Sequence, residues 1–469
     1  MTLVSDETAN PVDRLAEHVV TTRFEDLGAA TLSKGKTFLL DTLGVAIAGT
    51  SGAKIDELLA TVRSWGSGGD ARVLLTGERL PVQGAAILNA YQIHCLEFDC
   101  VHEGAVVHPM ATILSAVLAH CERRSAAGKP VNGRDLMLAL TLGVDVAAFI
   151  GMASKAPIRF FRPATCGGFG AVAALAKLEG MDVPTLKSAF GGMYGQTSGT
   201  LQAHVEGSPL LGLQIGFNAR GALSAIDLAG AGFRGPHDVL TGPYGYFRLF
   251  EQDQFDVAER WLDLGDVFQM TRLSHKPFPS GRLTHGVVDA LRQLMARHGF
   301  AADDVAGVVA TVPPLTFRLV GRPDIPNPEA NYAKLCLRFV AGLYLAHGHV
   351  DVVDFRGRER LDDPRVHAFA AKVDVRLDTA NADPNALDPQ HVSVRLKSGA
   401  SHDIHLPHTY GHPDAALTDD ENLTKFRRCA GLGRTPLPAS SVERMIEVVA
   451  SIEQLDDAAD LVGATLREH

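Results

Sequence analysis

The chain has 469 residues, a length that predicts two or three folding units and a core that needs no stapling by disulfides or metals. Apolar residues make up 46% of it and charged residues 21%, as in an ordinary globular protein. Its 44 basic and 54 acidic residues give a net charge of −10, which argues against a nucleic acid or a membrane surface as a partner. A small anionic substrate stays compatible with this charge, since a local cationic pocket can lie on an acidic protein.

The cysteines and the N-terminus indicate a reduced, cytoplasmic protein. None of the six cysteines forms a C-x-x-C pair, so neither a zinc site nor a thioredoxin-type motif is predicted. The segment MTLVSDETANPVDRLAEHVV is acidic and lacks the basic-then-apolar order of a signal peptide. The longest apolar run, LMLALTLGVDVAAFI, is too short for a bilayer and contains Asp145. We therefore expect no membrane span.

The first half of the chain is predicted to be helical. Apolar residues recur there at three- and four-residue spacing with few strand signals, which favours an all-helical domain. Many of these positions are Ala or Gly, and small residues permit close packing of helices. The predicted helices cover residues 10–23, 29–48, 83–97, 110–123, 133–150 and 168–179.

The pattern changes near residue 270 to that of an α+β region. A helix, HGVVDALRQLMARHG, is followed by the β-branched run VAGVVATVPP, a helix over residues 329–346 and the alternating strand KVDVRLD. HVSVRLKSGASHDIHLP is typical of a hairpin with SGA as its turn. Residues 418–469 return to helix, with Thr418 as the N-cap of the first.

The segment CLEFDCVHEGAVVHP, residues 95–109, concentrates titratable groups between two predicted helices. Such groups at helix ends can be desolvated and paired, which shifts pKa values toward catalytic use. Asp99 and His102 are three residues apart and would touch if the helix continued. Pro109 favours the first turn of a new helix, with His108 near its cap beside free backbone N–H groups. The alternative is that these side chains only cap and pair with one another.

A metal site at Asp99, His102 and His108 is the rival chemical interpretation. Aspartate and histidine are competent ligands, but their spacing matches no standard pattern such as H-E-x-x-H. No P-loop or dinucleotide fingerprint occurs in the chain either. We therefore predict no metal and no organic cofactor.

Two further segments carry cations or glycines. HKPFPSGRLTH, residues 275–285, places Lys276 and Arg282 in a loop broken by Pro and Gly, where they are candidates for a carboxylate clamp. A solvated basic turn is the alternative. FRPATCGGFGA, residues 161–171, is similar to an anion-binding loop that enters a helix, although close helix packing also explains its glycines. It has no preceding strand and is not G-x-G-x-x-G, so dinucleotide binding is not supported.

Together these segments resemble the MmgE/PrpD family, which includes dehydratases, decarboxylases and an epimerase of small carboxylic acids. LEFDCVHEGAVVHP is similar to the family's L-D-F-D-D-T-H-x-x-x-x-H-P, and KPFPSGRLTH to its K-P-Y-P-x-C-R-x-T-H. AKLCLRFVAGLYLAHG, GFNARGAL and GFRGPHDVLTGPYGYF also fit, in order along almost the whole chain.

The chain is identified as a divergent member, because several family positions differ. The first and third Asp of D-F-D-D are Glu97 and Cys100, and the following Thr is Val101. A family His falls at Arg162 or, with a one-residue shift, at Phe161. The remaining departures are the family's Lys, His and Tyr positions, which fall at Leu211, Gln214 and Phe339.

The resemblance implies a mainly α fold with an α+β second domain. Residues 1–268 and 408–469 are expected to form the helical MmgE/PrpD-type domain, with residues 269–407 inserted as an α+β lid. It also implies a homodimer, to which the Ala- and Gly-rich helices add the expectation of an apolar interface.

For function, the expectation is a cofactor-independent lyase of the hydro-lyase type that acts on a small carboxylate by α-proton abstraction. An isomerase, epimerase or decarboxylase of a related carboxylate is the alternative within the family. A catalytically retired binding or scaffold relative is the alternative of another class, motivated by the lost family positions. The predicted catalytic residues are His108, Asp99, Glu97 and Lys276; the predicted substrate-binding residues are Arg162, His102, Arg282 and Gln214.

Overall fold

The computed structural model describes residues 10–258 and 263–466. Helices fill the first half, and every helix predicted there is present. The one that begins at Arg162 starts earlier than predicted, since Pro163 occupies its first turn. The helices are α1 (Pro11–Thr21), α2 (Ala29–Gly49), α3 (Ile55–Ser64), α4 (Val82–His94), α5 (Pro109–Ala126), α6 (Gly133–Ala153), α7 (Arg162–Glu179), α8 (Val183–Tyr194), α9 (Gln202–Glu206), α10 (Leu210–Gly230) and α11 (Tyr246–Leu249).

Helix α6 lies at the centre of this half. It is longer than the apolar run that predicts it and is the one helix among the described residues long and apolar enough to cross a bilayer. Its most apolar window is 94% buried inside the fold, as in the core helix of a globular protein. Asn132 caps its start by accepting a hydrogen bond from the Asp135 backbone N–H.

Short strands tie loops to the helices of the first half. β1 (Ala71–Arg72) pairs with β2 (Arg79–Leu80). β3 (Val101–His102) lies between α4 and α5 and pairs antiparallel with β4 (Leu273–Ser274), far along the chain. This second pair fixes the loop after β4 against the junction of α4 and α5.

The second region is α+β, as predicted, and has a hydrophobic core of its own. Its helices are α12 (His285–His298), α13 (Pro314–Val320), α14 (Ala330–Lys334), α15 (Leu337–His347) and α16 (Pro364–Ala370). Its strands are β5 (Val305–Val312), β6 (Val373–Leu377), β7 (Gln390–Leu396) and β8 (Ser401–Leu406), in the spatial order β6-β5-β7-β8. β5 and β6 are parallel, whereas β7 pairs antiparallel with β5 and with β8, so the predicted hairpin is confirmed.

The single helix predicted over residues 329–346 is wrong in one respect, because the structure divides it into α14 and α15. The backbone of Cys336 is extended, with φ −108° and ψ 107°. The carbonyl of Lys334 instead accepts a hydrogen bond of 3.0 Å from the N–H of Gly281. This tertiary bond replaces a helical one and brings Lys334 and Leu335 towards the loop that follows β4.

The C-terminal helices return to the first half of the chain. They are α17 (Asp419–Leu432), α18 (Ala439–Ala450) and α19 (Ala459–Ala464), and α17 begins at the predicted N-cap Thr418. Phe426 packs against Gly44 of α2, and Lys425 forms a 2.7 Å ion pair with Asp41 on the same helix. We propose on these contacts that residues 408–469 complete the helical domain, with residues 269–407 as the inserted unit. The pairing of β4 with β3 ties residues 273–274, near the start of the inserted unit, to the helical domain.

Candidate active site

The junction between α4 and α5 gathers the titratable groups. Because α4 ends at His94, Asp99 and His102 do not share a helix and the contact considered for a continued helix does not form. His108 is the N-cap residue of α5 with Pro109 in its first turn, as predicted. Glu97 has a left-handed backbone, φ 54°, which is uncommon outside Gly and is found where surrounding structure imposes it, often at functional sites.

Five side chains form what we call the acid–base cluster: His94, Glu97, Asp99, His108 and Lys276. Asp99 Oδ2 lies 3.0 Å from His94 Nδ1 and 3.5 Å from His108 Nδ1. Glu97 Oε1 lies 3.3 Å from His94 Nε2, and its Oε2 accepts a hydrogen bond of 2.9 Å from Lys276 Nζ. Lys276 Nζ is also 3.9 Å from Asp99 Oδ1. Residues 179 positions apart, Glu97 and Lys276, thus meet in one buried group.

The cluster is electrostatically divided between charged and neutral members. Burial alone would lower the pKa of His94, but Asp99 and Glu97 on either side outweigh it and raise that pKa to about 9. Burial would raise the pKa of the Asp99 carboxyl, but His94 and His108 hold it at about 2. Lys276 and His94 likewise hold the pKa of Glu97 well below its usual range against the effect of burial. At neutral pH both carboxylates are ionised and His94 is an imidazolium.

His108 is the neutral imidazole of the cluster. Burial and then the positive charge of Lys276 lower its pKa to about 4. Its Nδ1 lies 3.0 Å from the carbonyl oxygen of Cys100, which can only accept, so Nδ1 carries the proton. Nε2 is therefore the unprotonated nitrogen. A neutral histidine with a free Nε2 and a carboxylate beside Nδ1 has the arrangement of a general base.

A small cavity of about 70 Å³ lies beside the cluster, between the helical part and the α+β part of the chain. Four of its lining residues have polar side chains, namely Glu97, His108, His204 and Arg282. The rest of the lining is apolar apart from Gly281 and includes Leu211 and residues of α13. A concave apolar site with a few convergent polar groups is the usual form of a ligand pocket.

His204 lines the cavity from α9 and has a defined tautomer. The Arg322 guanidinium donates a hydrogen bond of 2.9 Å to its Nδ1, so Nε2 carries the proton. Burial and the charge of Arg322 lower the pKa of His204 to about 3. His204 is therefore a neutral N–H donor at physiological pH, complementary to the neutral acceptor His108.

Arg162 was predicted to bind a substrate carboxylate, and the structure corrects this. Its guanidinium is 1% exposed and forms a two-pronged ion pair with Glu251, at 3.0 and 2.7 Å. It also donates to the carbonyl of Ala156. Its charge is paired with Glu251 and it does not line the cavity, so it is not placed to hold a ligand there.

His102 and Gln214 also lie away from the cavity. His102 Nε2 is 3.0 Å from Gln269 Oε1, in a different depression of the surface. Gln214 bonds to the backbone of Thr200 through both its amide oxygen and its amide nitrogen. Neither residue serves the predicted role of substrate binding, because both are held by contacts outside the cavity.

Arg282 and Lys276 stand close to the cavity but are committed to carboxylates of the protein. Arg282 lines the cavity, and its Nε donates to Glu103 at 2.9 Å while its terminal nitrogens donate to the carbonyls of Thr409 and Tyr410. Lys276 is completely buried and is not part of the wall. Its ammonium stands behind Glu97, so it orients that carboxylate rather than presenting a free cation to a ligand.

The lost family positions have different fates. Leu211, where the family has Lys, lines the cavity and makes that part of the wall apolar. Phe339, where the family has Tyr, is fully buried in the core of the α+β part and is not in the cavity wall. The first substitution therefore changes the site directly, and the second does not touch it.

Sequence reasoning missed His94 and His204. A signal for His94 was available, since it ends the same helix from which the acidic segment starts, five residues before Asp99. His204 carries no comparable signal, because its proton position depends on Arg322, 118 residues further along. The segment QAHVEG gives no indication of that partner.

Three members of the cluster could also serve as metal ligands. Donor atoms of His94, Asp99 and His108 all lie within 4.8 Å of one another. This set replaces the one considered from sequence, because His102 turns away. The ammonium of Lys276, 3.9 Å from Asp99, would repel a divalent cation there. The neighbouring charge favours proton chemistry over metal binding.

A buried acid–base cluster at the edge of a cavity is the arrangement typical of an enzyme active site. Models of the MmgE/PrpD N-terminal domain and the MmgE/PrpD C-terminal domain match residues 13–258 and 278–454. The chain therefore belongs to the MmgE/PrpD family, which confirms the resemblance and the fold class it implies.

Relatives of known name are similar over nearly the whole chain. Cis-aconitate decarboxylase of Homo sapiens is 26% identical over 442 residues, which cover 92% of this chain and 89% of that protein. The cis-aconitate decarboxylase-like protein oryM of Aspergillus oryzae is 25% identical over 98% of both chains. Cis-aconitate decarboxylase of Aspergillus terreus is 24% identical over 93% of this chain and 92% of that protein. At this level of identity the similarity supports membership of the family but does not identify the substrate.

Proposed function

We propose that this protein is a lyase that acts on a small carboxylic acid by removing the proton next to the carboxylate, with His108 as the proton shuttle. Membership of the MmgE/PrpD family and the decarboxylases among its relatives support a lyase of a small acid. The observation that carries the proposal is the tautomer of His108, whose Nε2 is unprotonated at the cavity while Nδ1 donates to the Cys100 carbonyl.

The cluster supplies the groups that such a step requires. His108 Nε2 takes the α-proton, and the imidazolium that forms is stabilised by Asp99, 3.5 Å from Nδ1. The charge that develops on the substrate is an enolate, which needs hydrogen-bond donors already in place. His204 is such a donor at the cavity. His108 then passes its proton to the departing hydroxyl, so that water leaves and the base is restored.

Dehydration is favoured over decarboxylation by the resting state of His108. Loss of CO₂ leaves a carbanion that a proton donor must quench, and His108, with a pKa of about 4, carries no spare proton at neutral pH. A neutral imidazole is instead ready to accept one. Decarboxylation stays the second candidate because the similar relatives are named for it, and epimerisation shares the first step.

Proton exchange tests the shared step without knowledge of the natural substrate. Small 2- and 3-hydroxy acids and their unsaturated counterparts would be incubated with the protein in D₂O and followed by NMR. We expect solvent deuterium at the α-carbon together with interconversion of hydroxy and unsaturated acid. Release of CO₂ would identify the decarboxylase, and stereochemical inversion without water loss the epimerase.

A variant with His108→Ala is the control for that experiment. Exchange that persists in this variant would overturn the role of His108. Absence of exchange and turnover with every acid in the wild-type protein would instead favour a catalytically retired relative.

A further inference from the structure

The size of the cavity limits what it can hold. About 70 Å³ is small beside the roughly 300–1,000 Å³ of a pocket for a drug-sized ligand. An acid with a short carbon skeleton is the kind of ligand that matches this space. An acid with three carboxylates, each with its hydration to be replaced, does not match it.

Most of the cavity wall is hydrocarbon. Leu315 and Leu319 face the cavity from α13, Leu335 from the break between α14 and α15, and Leu211 from the start of α10. None of these side chains offers a hydrogen bond to a carboxylate. An ionised group placed against them would lose its water without compensation, which costs several kcal/mol or more.

The charged side chains of the wall are already neutralised by protein groups. Glu97 is paired with Lys276 at 2.9 Å, and Arg282 with Glu103 at 2.8 Å. A ligand carboxylate would have to displace one of these partners to reach a cation. The wall itself therefore presents no free positive charge.

Behind the wall, Arg322 is a cation without a carboxylate partner among the described residues. Its donors go to the carbonyls of His204, Val205 and Leu319 and to His204 Nδ1. All of these acceptors are neutral, so its charge is uncompensated. Within the part of the chain that the structure describes, a hydrogen bond links that charge to the cavity through the imidazole of His204, whose Nε2–H is left for a ligand.

A second buried cation, Lys334, adds no free positive charge to the cavity wall. Its ammonium donates to the Cys95 carbonyl at 3.1 Å and does not line the cavity. One N–H donor with positive charge behind it and several leucine side chains therefore line the same small space.

We propose that the substrate is a small acid with a single carboxylate and an apolar body, in which the carboxylate accepts the His204 Nε2–H and the body lies against Leu211, Leu315 and Leu319. This inference rests on the proposed lyase function and names its substrate class. It also assigns His204 as a residue that binds the substrate and stabilises the negative charge of the enolate. His108, another polar residue of the wall, is then directed at the carbon next to the carboxylate.

Direct binding tests the substrate class independently of turnover. Crotonate, fumarate and tricarballylate carry one, two and three carboxylates, and crotonate and fumarate share a four-carbon chain. Calorimetric titration of the wild-type protein should show crotonate binding at least about tenfold more tightly than fumarate, the scale of one unpaired buried polar group. Tricarballylate should bind more weakly still. Equal or tighter binding of either polycarboxylate, or no binding of crotonate, would overturn the proposal.

Variants of His204 and Leu211 test the two ends of the ligand. Loss of the donor in His204→Phe should weaken crotonate about 10- to 100-fold, whereas His204→Gln, which keeps an N–H near the same place, should retain most of the affinity. Leu211→Lys places a cation in the hydrocarbon wall and should reverse the preference in favour of fumarate. An unchanged affinity for crotonate in His204→Phe, or an unchanged preference for crotonate over fumarate in Leu211→Lys, would contradict the assignment. If one of these variants does not fold, the other still tests the proposal.

The two proposals can fail separately. Tight crotonate binding without α-proton exchange in D₂O would refute the lyase function and leave the ligand class standing. Turnover of a tricarboxylate by a protein that does not bind crotonate would refute the ligand class and leave the lyase function standing.

Discussion

Two of the buried groups of charges among the described residues are alike in burial and differ in how they are paired. One is the pair Arg162–Glu251, in which the guanidinium meets both carboxylate oxygens and a carbonyl. Tyr246 adds a weak hydrogen bond of 3.4 Å to the same carboxylate. The other is the acid–base cluster, where Glu97 and His108 border the cavity and His108 Nε2 has no bond among the described residues.

The difference teaches that burial alone does not distinguish a charged group with a structural role from one available for chemistry. What distinguishes them is whether protein partners already satisfy the group's charge and hydrogen bonds. In the pair, both oxygens of the Glu251 carboxylate accept from Arg162, and neither residue lines the cavity. In the cluster, charge is balanced but hydrogen bonding is incomplete at the side that faces the cavity. Arg162 and His108 look equally promising in sequence, since each precedes a proline at the start of a helix.

The largest expected effect is on catalysis. His108→Ala should lower kcat by about 10²- to 10⁴-fold with a modest change in KM, because a proton shuttle acts in the transition state. Steady-state kinetics on the substrate found by deuterium exchange would measure it. His391→Ala, a change at a half-exposed histidine of β7, is the control and should leave both constants unchanged. A His108 variant with normal kcat would remove the distinction between the two buried groups.

Substitutions in the Arg162–Glu251 pair should lower the stability of the fold rather than the catalytic rate. Arg162→Met leaves Glu251 buried without its partner, and breaking such a pair costs about 3–5 kcal/mol. Urea denaturation would measure the loss, while kcat per folded molecule should stay near that of the wild type. The double variant with Glu251→Leu should recover much of the stability, since no lone charge is left. A loss of kcat without a loss of stability would mean that Arg162 belongs to the active site after all.

The pH dependence of stability sharpens the comparison further. The folded pKa of His94 is about 9, above its unfolded value of about 6.5, so its contribution is complete below pH 6.5 and is lost as the pH rises towards 9. The loss is at most about 3 kcal/mol. The folded pKa of His108, about 4, lies below the unfolded value, so the unfolded chain takes up that proton first and stability falls as the pH drops from 6.5 to 4.

Midpoints of urea denaturation measured between pH 4 and 9 would show both losses of stability. We call the loss towards pH 9 the alkaline limb and the loss towards pH 4 the acid limb. His94→Gln should flatten the alkaline limb and leave the acid limb in place. An alkaline limb that survives in this variant would mean that the cluster does not hold an imidazolium at His94.

The smallest expected effect is that of chelation. Turnover should survive extensive dialysis against EDTA, because the ammonium of Lys276, 3.9 Å from Asp99, repels a divalent cation beside that carboxylate. Loss of activity that Mg²⁺, Mn²⁺ or Zn²⁺ restores would contradict this. It would assign His94, Asp99 and His108 as metal ligands and turn the cluster from a proton relay into a metal centre.

Much of the fold follows from the sequence alone. The helices of the first half, the hairpin β7–β8 and the N-cap Thr418 are local features, and periodicity, turn residues and capping residues report local structure directly. The same is true of the position of His108 before Pro109. The break between α14 and α15 escaped prediction because its cause, the bond from Gly281 to Lys334, joins distant segments.

The sequence by itself determined that acid and imidazole groups crowd at the end of a helix. It also determined that the chain resembles a family of enzymes that act on carboxylic acids. Only the tertiary structure decided which of these groups lie together beside the cavity. The pairing of β3 with β4 brings Lys276 to Glu97, Glu251 removes Arg162 from the candidates, and Arg322 makes His204 a donor. Each decision is a matter of which charge lies within 4 Å of which other. That distance is set by the packing of segments far apart in the chain, and no local pattern of residues records it.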